Sequence, residues 1–138
     1  MIYFEVEDTK FPLIKKQTTK NWIKSVAEKY GKKVGNITYI FCSDEKILEV
    51  NKEFLQHDYY TDIITFDDTE GNTISGDIFI SLDTVKSNSE KFQTSYLEEL
   101  HRVIIHGILH LCGLKDKSPK DEKLMREAEN QSLKSISF

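Results

Sequence analysis

Cysteine, basic charge and long apolar runs are all scarce in this sequence. Its 138 residues include two cysteines, Cys42 and Cys112, which are too few for a disulfide framework. Each lies within an apolar stretch, as expected of buried free thiols in a reducing compartment. No run approaches the roughly 20 apolar residues that span a bilayer, and the acidic start of the chain is unlike a secretory signal. These absences predict a soluble, cytoplasmic protein without a membrane partner.

The charge balance argues against one class of function. The chain has 19 Lys and Arg residues against 23 Asp and Glu residues, so its formal net charge is −4. Proteins that bind nucleic acid without sequence preference are usually basic, because neutralisation of phosphates drives their binding. Loose, charge-driven binding is therefore not expected, although a local basic patch or a protein partner would still allow contact with nucleic acid.

The hydrophobic pattern predicts a single α+β domain over residues 1–138. Segments rich in β-formers predict four strands, at 2–7, 36–42, 62–66 and 73–81, the last two as a hairpin. Apolar spacing and capping residues predict four helices, at about 18–30, 44–55, 94–112 and 119–132. This order of elements favours a mixed sheet of about four strands with helices packed on it.

Two local details of the helices are also predicted. Thr18 and Thr19 are suitable N-caps for the first helix, and Ser43 is suitable for the second. The apolar face of the second helix is expected to comprise four residues, Ile47, Leu48, Phe54 and Leu55.

The third predicted helix carries the most informative pattern in the chain. It is apolar nearly all the way round, which predicts that it crosses the middle of the protein. His106 and His110 lie four residues apart, so both imidazoles share one helix face at a spacing that can hold one metal ion. Gly113 can end the helix and turn the chain back, which would let Asp116 reach the same ion. Alternatively, the two histidines are core residues bonded to backbone carbonyls.

Other polar residues near this helix are weaker candidates. Arg102 lies one turn before His106 and could reach a bound phosphate, although a salt bridge explains it equally well. His57 lies in a polar and aromatic loop at 56–61, where an exposed histidine is usually unremarkable. His101 and Cys112 fall on the far side of the helix, where packing or surface roles are expected.

Three separated motifs resemble one known family. HGILHLCG at 106–113 resembles the pattern H-G-x-L-H-L-x-G-x-x-H of the YbeY endoribonucleases, TDIITF at 61–66 resembles the family's upstream strand, and GDIFIS at 76–81 its following strand. The resemblance implies a sheet-and-helix fold with one Zn²⁺ per chain and hydrolysis of RNA phosphodiesters. It also implies a single-strand-specific role in maturation of small-subunit (16S) ribosomal RNA and in ribosome quality control.

The sequence departs from this family at three positions. Asp116 stands where the family has its third zinc-binding His, and a carboxylate is an acceptable zinc ligand. The adjacent Lys117 is a poor ligand, because its amine is charged. Leu55 stands where the family usually has an Arg in the substrate groove, which leaves Arg102, Lys117 or His57, and also Lys115, as possible substitutes. Tyr60 replaces a Pro, and only a local change in the loop is expected.

The family resemblance leaves two other functions open. A zinc peptidase commonly uses H-E-x-x-H with Glu as general base, but Gly107 follows His106 here. A non-catalytic ribosome-assembly factor with a structural metal is the second alternative, and the missing Arg favours it. RNA contact is expected at two basic runs, which are also explained by solvated helix faces: Lys15, Lys16, Lys20 and Lys24, and then Lys29, Lys32 and Lys33. Ribosomal or ribosome-assembly proteins are the expected partners, because the acidic chain needs help with RNA specificity.

Overall fold

A computed structural model of the chain describes residues 1–57 and 61–138. In this part of the chain, four strands and five helices follow in the order β1 (Ile2–Val6), α1 (Lys16–Lys29), β2 (Lys33–Cys42), α2 (Asp44–Leu55), β3 (Ile63–Asp67), β4 (Thr73–Ser81), α3 (Leu82–Phe92), α4 (Tyr96–Leu111) and α5 (Pro119–Leu133). No helix in the described residues is long and apolar enough to cross a membrane.

The four strands form one mixed sheet in the order β1-β2-β4-β3. β1 and β4 each pair in parallel with β2, whereas β3 pairs antiparallel with β4 as the predicted hairpin. The prediction of an α+β fold with a four-stranded mixed sheet is confirmed. Since β4 separates β3 from β2, β3 lies at one edge of the sheet.

Helix α3 was not predicted, and its sequence explains the omission. Its buried residues are few, comprising Leu82, Val85 and Ser89, so the apolar stripe is too narrow to give a clear helical period. The helix instead begins at a capping residue, Ser81, whose hydroxyl accepts a hydrogen bond from the Thr84 backbone N–H.

Two further details of the helix predictions are wrong. Helix α1 begins at Lys16 after Lys15, ahead of the predicted threonine caps, and Thr19 Oγ1 donates to the Lys15 carbonyl from within the first turn. On α2, Ile47 is buried as predicted, but Phe54 and Leu55 are 61% and 41% exposed. Phe54 still contacts the ring of Phe66 on β3, with centroids 5.8 Å apart, so this end of α2 lies at the rim of the sheet with its apolar side chains partly at the surface.

Helix α4 runs through the core, which confirms the prediction of a central buried helix. Ten of its residues are buried, including the run Val103, Ile104 and Ile105. The fully buried Tyr39 of β2 donates its hydroxyl to the Ile104 carbonyl at 2.8 Å. Burial of each such aliphatic side chain contributes about 1.5–3 kcal/mol, so the position of α4 on the sheet is fixed by many contacts.

Candidate metal centre

Gly107 lets the histidine segment of α4 approach the sheet closely. A Cβ atom at Gly107 would lie 3.0 Å from Cδ1 of Ile78 on β4 and 3.3 Å from Cδ1 of Ile63 on β3. These distances are tighter than most carbon–carbon contacts, so glycine suits the close approach of helix and strands. His106 and His110, on either side of this contact, are therefore held beside the edge strand β3.

The end of α4 returns the chain toward His106, as the sequence predicted. Gly113 follows the helix with φ of +107°, a conformation that favours glycine. Two backbone hydrogen bonds close the turn, from Gly113 N–H to the His110 carbonyl and from Leu114 N–H to the Leu109 carbonyl. The turn brings Oδ2 of Asp116 to 3.7 Å from Nε2 of His106.

A buried carboxylate on α5 holds the other nitrogen of His106. Oε2 of Glu129 lies 2.8 Å from His106 Nδ1, and its side chain is 7% exposed. Because an ionised carboxylate only accepts hydrogen bonds, Nδ1 is the donor. In the neutral imidazole Nε2 then carries a lone pair and faces Asp116. Carboxylate–histidine pairs of this kind orient metal-binding imidazoles.

Glu129 also forms ion pairs with two arginines. Arg102 Nη1 lies 3.2 Å from its Oε1 and Arg126 Nη1 lies 3.7 Å from the same atom. The Arg102 side chain is only 14% exposed. Of the two interpretations of Arg102 offered by the sequence, the structure supports the salt bridge.

The charges around His106 shift several pKa values. Burial alone would lower the pKa of His106, but the hydrogen bond and charge of Glu129, together with Asp116, raise it overall. Burial raises the pKa of Asp62, and the positive charge of His106 opposes that rise. Burial also raises the pKa of Glu99, which Arg102 opposes. The surroundings of His106 are therefore partly buried and rich in carboxyl groups.

His106 lines two neighbouring cavities. The larger, here named the α5 cleft, has a volume of about 680 Å³ and includes Asp62, Arg102 and Asp116 in its lining. The smaller, here named the β3 groove, has a volume of about 280 Å³. Its lining comprises Asn51, Leu55, His57, Thr61, Ile63, Ile64, Thr65, His106 and His110.

The structure separates the remaining sequence candidates. His57 and Leu55 both line the β3 groove with His110, so the missing family Arg would have belonged to this groove. Lys117 is exposed and lines neither cavity. His101 is a packing residue, as predicted: its ring is buried and its Nδ1 lies 2.6 Å from the Leu97 carbonyl. The prediction for Tyr60 lies outside the described residues.

The donor chemistry of the site fits zinc, whereas its three predicted ligands do not all converge. Two imidazoles and a carboxylate are ordinary zinc ligands, and Glu129 leaves Nε2 of His106 available to a cation. His106 and Asp116 approach each other, while His110 lies one turn further along α4 and faces the β3 groove. Among residues 1–57 and 61–138, no three His, Cys, Asp or Glu side chains stand close enough together to form a metal cluster.

Sequence reasoning did not single out Glu129 or Asp62. Glu129 lies in a helix with many charged residues, so its sequence context does not distinguish a buried carboxylate from a solvated one. Asp62 lies within the TDIITF motif, so its position in that motif was the available signal. Only the packing of α5 against α4 shows that Glu129 is buried on a histidine.

Known proteins with similar sequences span nearly the whole chain. The family model described as Endoribonuclease YbeY matches residues 3–137. A protein of Parabacteroides distasonis named Endoribonuclease YbeY is 67% identical over 132 residues, covering 96% of this chain and 93% of its own length. One of Phocaeicola vulgatus with the same name is 64% identical over 138 residues, and both chains are covered completely.

A solved structure shares the fold. The solution structure of a Thermotoga maritima protein superposes with a TM-score of 0.67 at 27% identity, covering 97% of this chain and 87% of that one. The sequence motifs, the fold and these matches agree across the described strands and helices, and this chain belongs to the YbeY family of endoribonucleases.

Proposed function

We propose that this endoribonuclease is zinc-dependent and cleaves single-stranded segments of small-subunit ribosomal RNA during ribosome maturation and quality control. The observation that carries the zinc proposal is the environment of His106. Its Nδ1 is held by Glu129 at 2.8 Å, and its Nε2 lies 3.7 Å from the Asp116 carboxylate. This arrangement places the His106 imidazole and the Asp116 carboxylate close enough to share a cation.

The proposed ligands are His106, His110 and Asp116, with one zinc ion per chain, and binding would bring His110 to the cation that His106 and Asp116 already approach. Three protein ligands leave a coordination position open, which is typical of catalytic rather than structural zinc sites. When bound, zinc would supply Lewis acidity for phosphodiester hydrolysis. The third ligand is a carboxylate here, so the site carries one more negative charge than a site with three histidines.

The remaining residues of the site orient the proposed ligand His106 and balance the charge around it. Glu129 accepts a hydrogen bond from the Nδ1–H group of His106, so that Nε2 is the ligating nitrogen. Arg102 and Arg126 offset the charge of Glu129. Of the substitutes that the sequence offers for the missing family Arg, His57 lines the β3 groove. A phosphate in this groove would therefore be held more weakly than by a guanidinium.

RNA and protein partners are part of the same proposal. Lys16, Lys20 and Lys24 are spaced by four residues on α1, so they share one side of that helix. Lys24 also lines a small cavity with Lys32 and Lys33. We expect this basic side to contact RNA away from the metal centre, and ribosomal or ribosome-assembly proteins in the cytoplasm to supply specificity that an acidic chain lacks.

The zinc ligands are tested by metal content and RNA cleavage together. We expect about one zinc per chain in wild type, less in Asp116→Ala and in His110→Ala, and an equal or greater amount in Asp116→His. Lys117→Ala is the matched control, since Lys117 neighbours Asp116 and lines neither cavity. Metal-free wild-type protein after non-chelating purification, or a loss of zinc in Asp116→His, would contradict the assignment.

Substrate class is tested with the same preparations. Zinc-loaded wild type should cleave a single-stranded ribosomal RNA fragment and leave casein intact. The alternative of a non-catalytic assembly factor is favoured by one observation, the neutral Leu55 in the β3 groove. It predicts one bound zinc without RNA cleavage under any tested condition.

A further inference from the structure

The outer edge of β3 presents backbone groups to the β3 groove, and the register shows which ones. Ser81 N–H donates to the Asp62 carbonyl, and Asp68 N–H donates to the Ser75 carbonyl. In an antiparallel pair, alternate residues direct both backbone groups to the partner strand. The even-numbered residues of β3 therefore face β4. The odd-numbered residues Ile63 and Thr65 direct their N–H and C=O groups away from it.

These outward groups lie beside the histidines. Ile63 and Thr65 both line the β3 groove, together with His106 and His110. The Ile63 carbonyl is engaged locally, because Thr61 Oγ1 donates to it at 3.3 Å. For Thr65, no partner strand covers the outer edge in the described part of the chain, since the sheet ends at β3. Its outward N–H and C=O therefore form a donor–acceptor pair on the edge of the strand that lines the groove.

The chemistry of the groove favours a nucleobase over a phosphate. No Lys or Arg occurs among the described residues that line it, so a phosphate would have no strong ionic partner there. Leu55 and Ile64 supply apolar surface, and Asn51 and Thr65 supply neutral polar groups. At about 280 Å³, the groove lies just below the usual range of ligand pockets, about 300–1,000 Å³.

We propose that the outward N–H and C=O groups of Thr65 bind the Watson–Crick edge of one unpaired nucleobase next to the scissile phosphate. The inference rests on the proposed function, because it places the RNA strand in the groove that contains His106 and His110. A paired base has its Watson–Crick edge occupied, so this contact admits single strands and rejects duplexes. Single-strand specificity is then a property of the β3 edge.

Amide hydrogen exchange in the native protein tests the contact without any substitution. Zinc-loaded protein is measured by NMR alone, with a six-nucleotide 2′-O-methyl single strand, and with the same strand in a duplex. The Thr65 amide should exchange about tenfold more slowly with the single strand, as expected for one added hydrogen bond, and should be unaffected by the duplex. Asp67, which faces outward on the same edge but does not line the β3 groove, is the internal reference.

A proline variant tests the same group by binding. Thr65→Pro removes an N–H that does not pair with β4, and proline is tolerated at such edge positions. We expect it to weaken binding of the single strand about tenfold, whereas Asp67→Pro should bind as wild type does. If Thr65→Pro does not fold, the exchange measurement on the native protein decides.

Three outcomes would overturn the inference, and they separate it from the proposed function. If the strand shifts the His110 ring signals but leaves Thr65 exchange unchanged, the base contact is wrong while RNA binding at the metal centre stands. If neither changes at saturating strand, both proposals are wrong. If a hexapeptide of alternating Val and Thr protects Thr65 and the oligonucleotide does not, the edge is a peptide site.

Discussion

The Glu129 carboxylate on α5 holds Nδ1 of His106 on α4 at 2.8 Å, across 23 positions of the chain. The contact is buried on the glutamate side, where the side chain is 7% exposed. It links the orientation of one proposed zinc ligand to the packing of α5 on α4. The same carboxylate holds Arg102 and Arg126, so the site depends on it in two ways.

Glu129→Gln should weaken zinc binding while the chain still folds. Glutamine keeps the shape of the side chain but removes the charge that orients His106, and loss of such partners typically costs about 10–100-fold in metal affinity. The measurement is zinc affinity by competition with a chelator. Glu127→Gln is the matched control, because Glu127 is an exposed carboxylate on the same helix. Equal affinities in wild type and Glu129→Gln would show that the contact is only structural.

Leu55→Arg should strengthen RNA binding and raise cleavage. Leu55 is 41% exposed and lines the β3 groove, so an arginine can be placed there without disturbing the core. A new phosphate contact should make the slope of log affinity against log salt steeper by about 0.7 for single-stranded RNA. Glu53→Arg, at an exposed site on α2, controls for general charge. A similar gain in that control would show that net charge, rather than the groove, limits binding.

The burial of His101 should make the protein less stable in mild acid. Its ring is buried and stacks on Phe138 with centroids 4.3 Å apart. Burial lowers the pKa of His101 below its ordinary value of 6.5, against an opposing contribution from the Leu97 carbonyl. Between the lowered pKa and 6.5 the unfolded chain binds more protons, so the free energy of unfolding decreases as the pH falls below about 6.5.

The effect of His101 is measured by urea unfolding at about pH 8 and about pH 5.5, on either side of the ordinary histidine pKa. His101→Gln removes the titrating group, so the difference in stability between the two pH values should be smaller in the variant than in wild type. An identical pH dependence in both proteins would assign the acid sensitivity to other residues.

Gly76→Ala should detach β3 from the sheet. A Cβ atom at Gly76 would lie 2.2 Å from the Phe66 carbonyl oxygen, a backbone atom that cannot move without disturbing the β3–β4 pairing. We expect a loss of about 3 kcal/mol in the free energy of unfolding, together with reduced RNA cleavage, because β3 forms the groove. Gly71→Ala meets open space at φ of +59° and should cost about 1 kcal/mol. Equal losses in the two variants would contradict the steric argument.

Most of the helices and strands can be predicted from the sequence, because their signals are local. Ser43 and Gly113 marked helix ends that the structure confirms, and capping depends on a few neighbouring residues. The spacing of His106 and His110 placed them on one face of a central helix. The motifs around these histidines indicated the same family as the family model that matches residues 3–137.

The side chains that surround those histidines are known only from the packing of the helices and the sheet. Glu129 is distant from His106 in the chain, and nothing in its neighbourhood distinguishes it from the exposed Glu127. Whether Leu55 is buried, whether Arg102 is paired, and which edge of β3 is open all depend on how separate elements pack. Local patterns indicate the elements because capping, turn geometry and hydrophobic period depend on neighbouring residues, whereas the site is formed by contacts between distant elements that such patterns do not reveal.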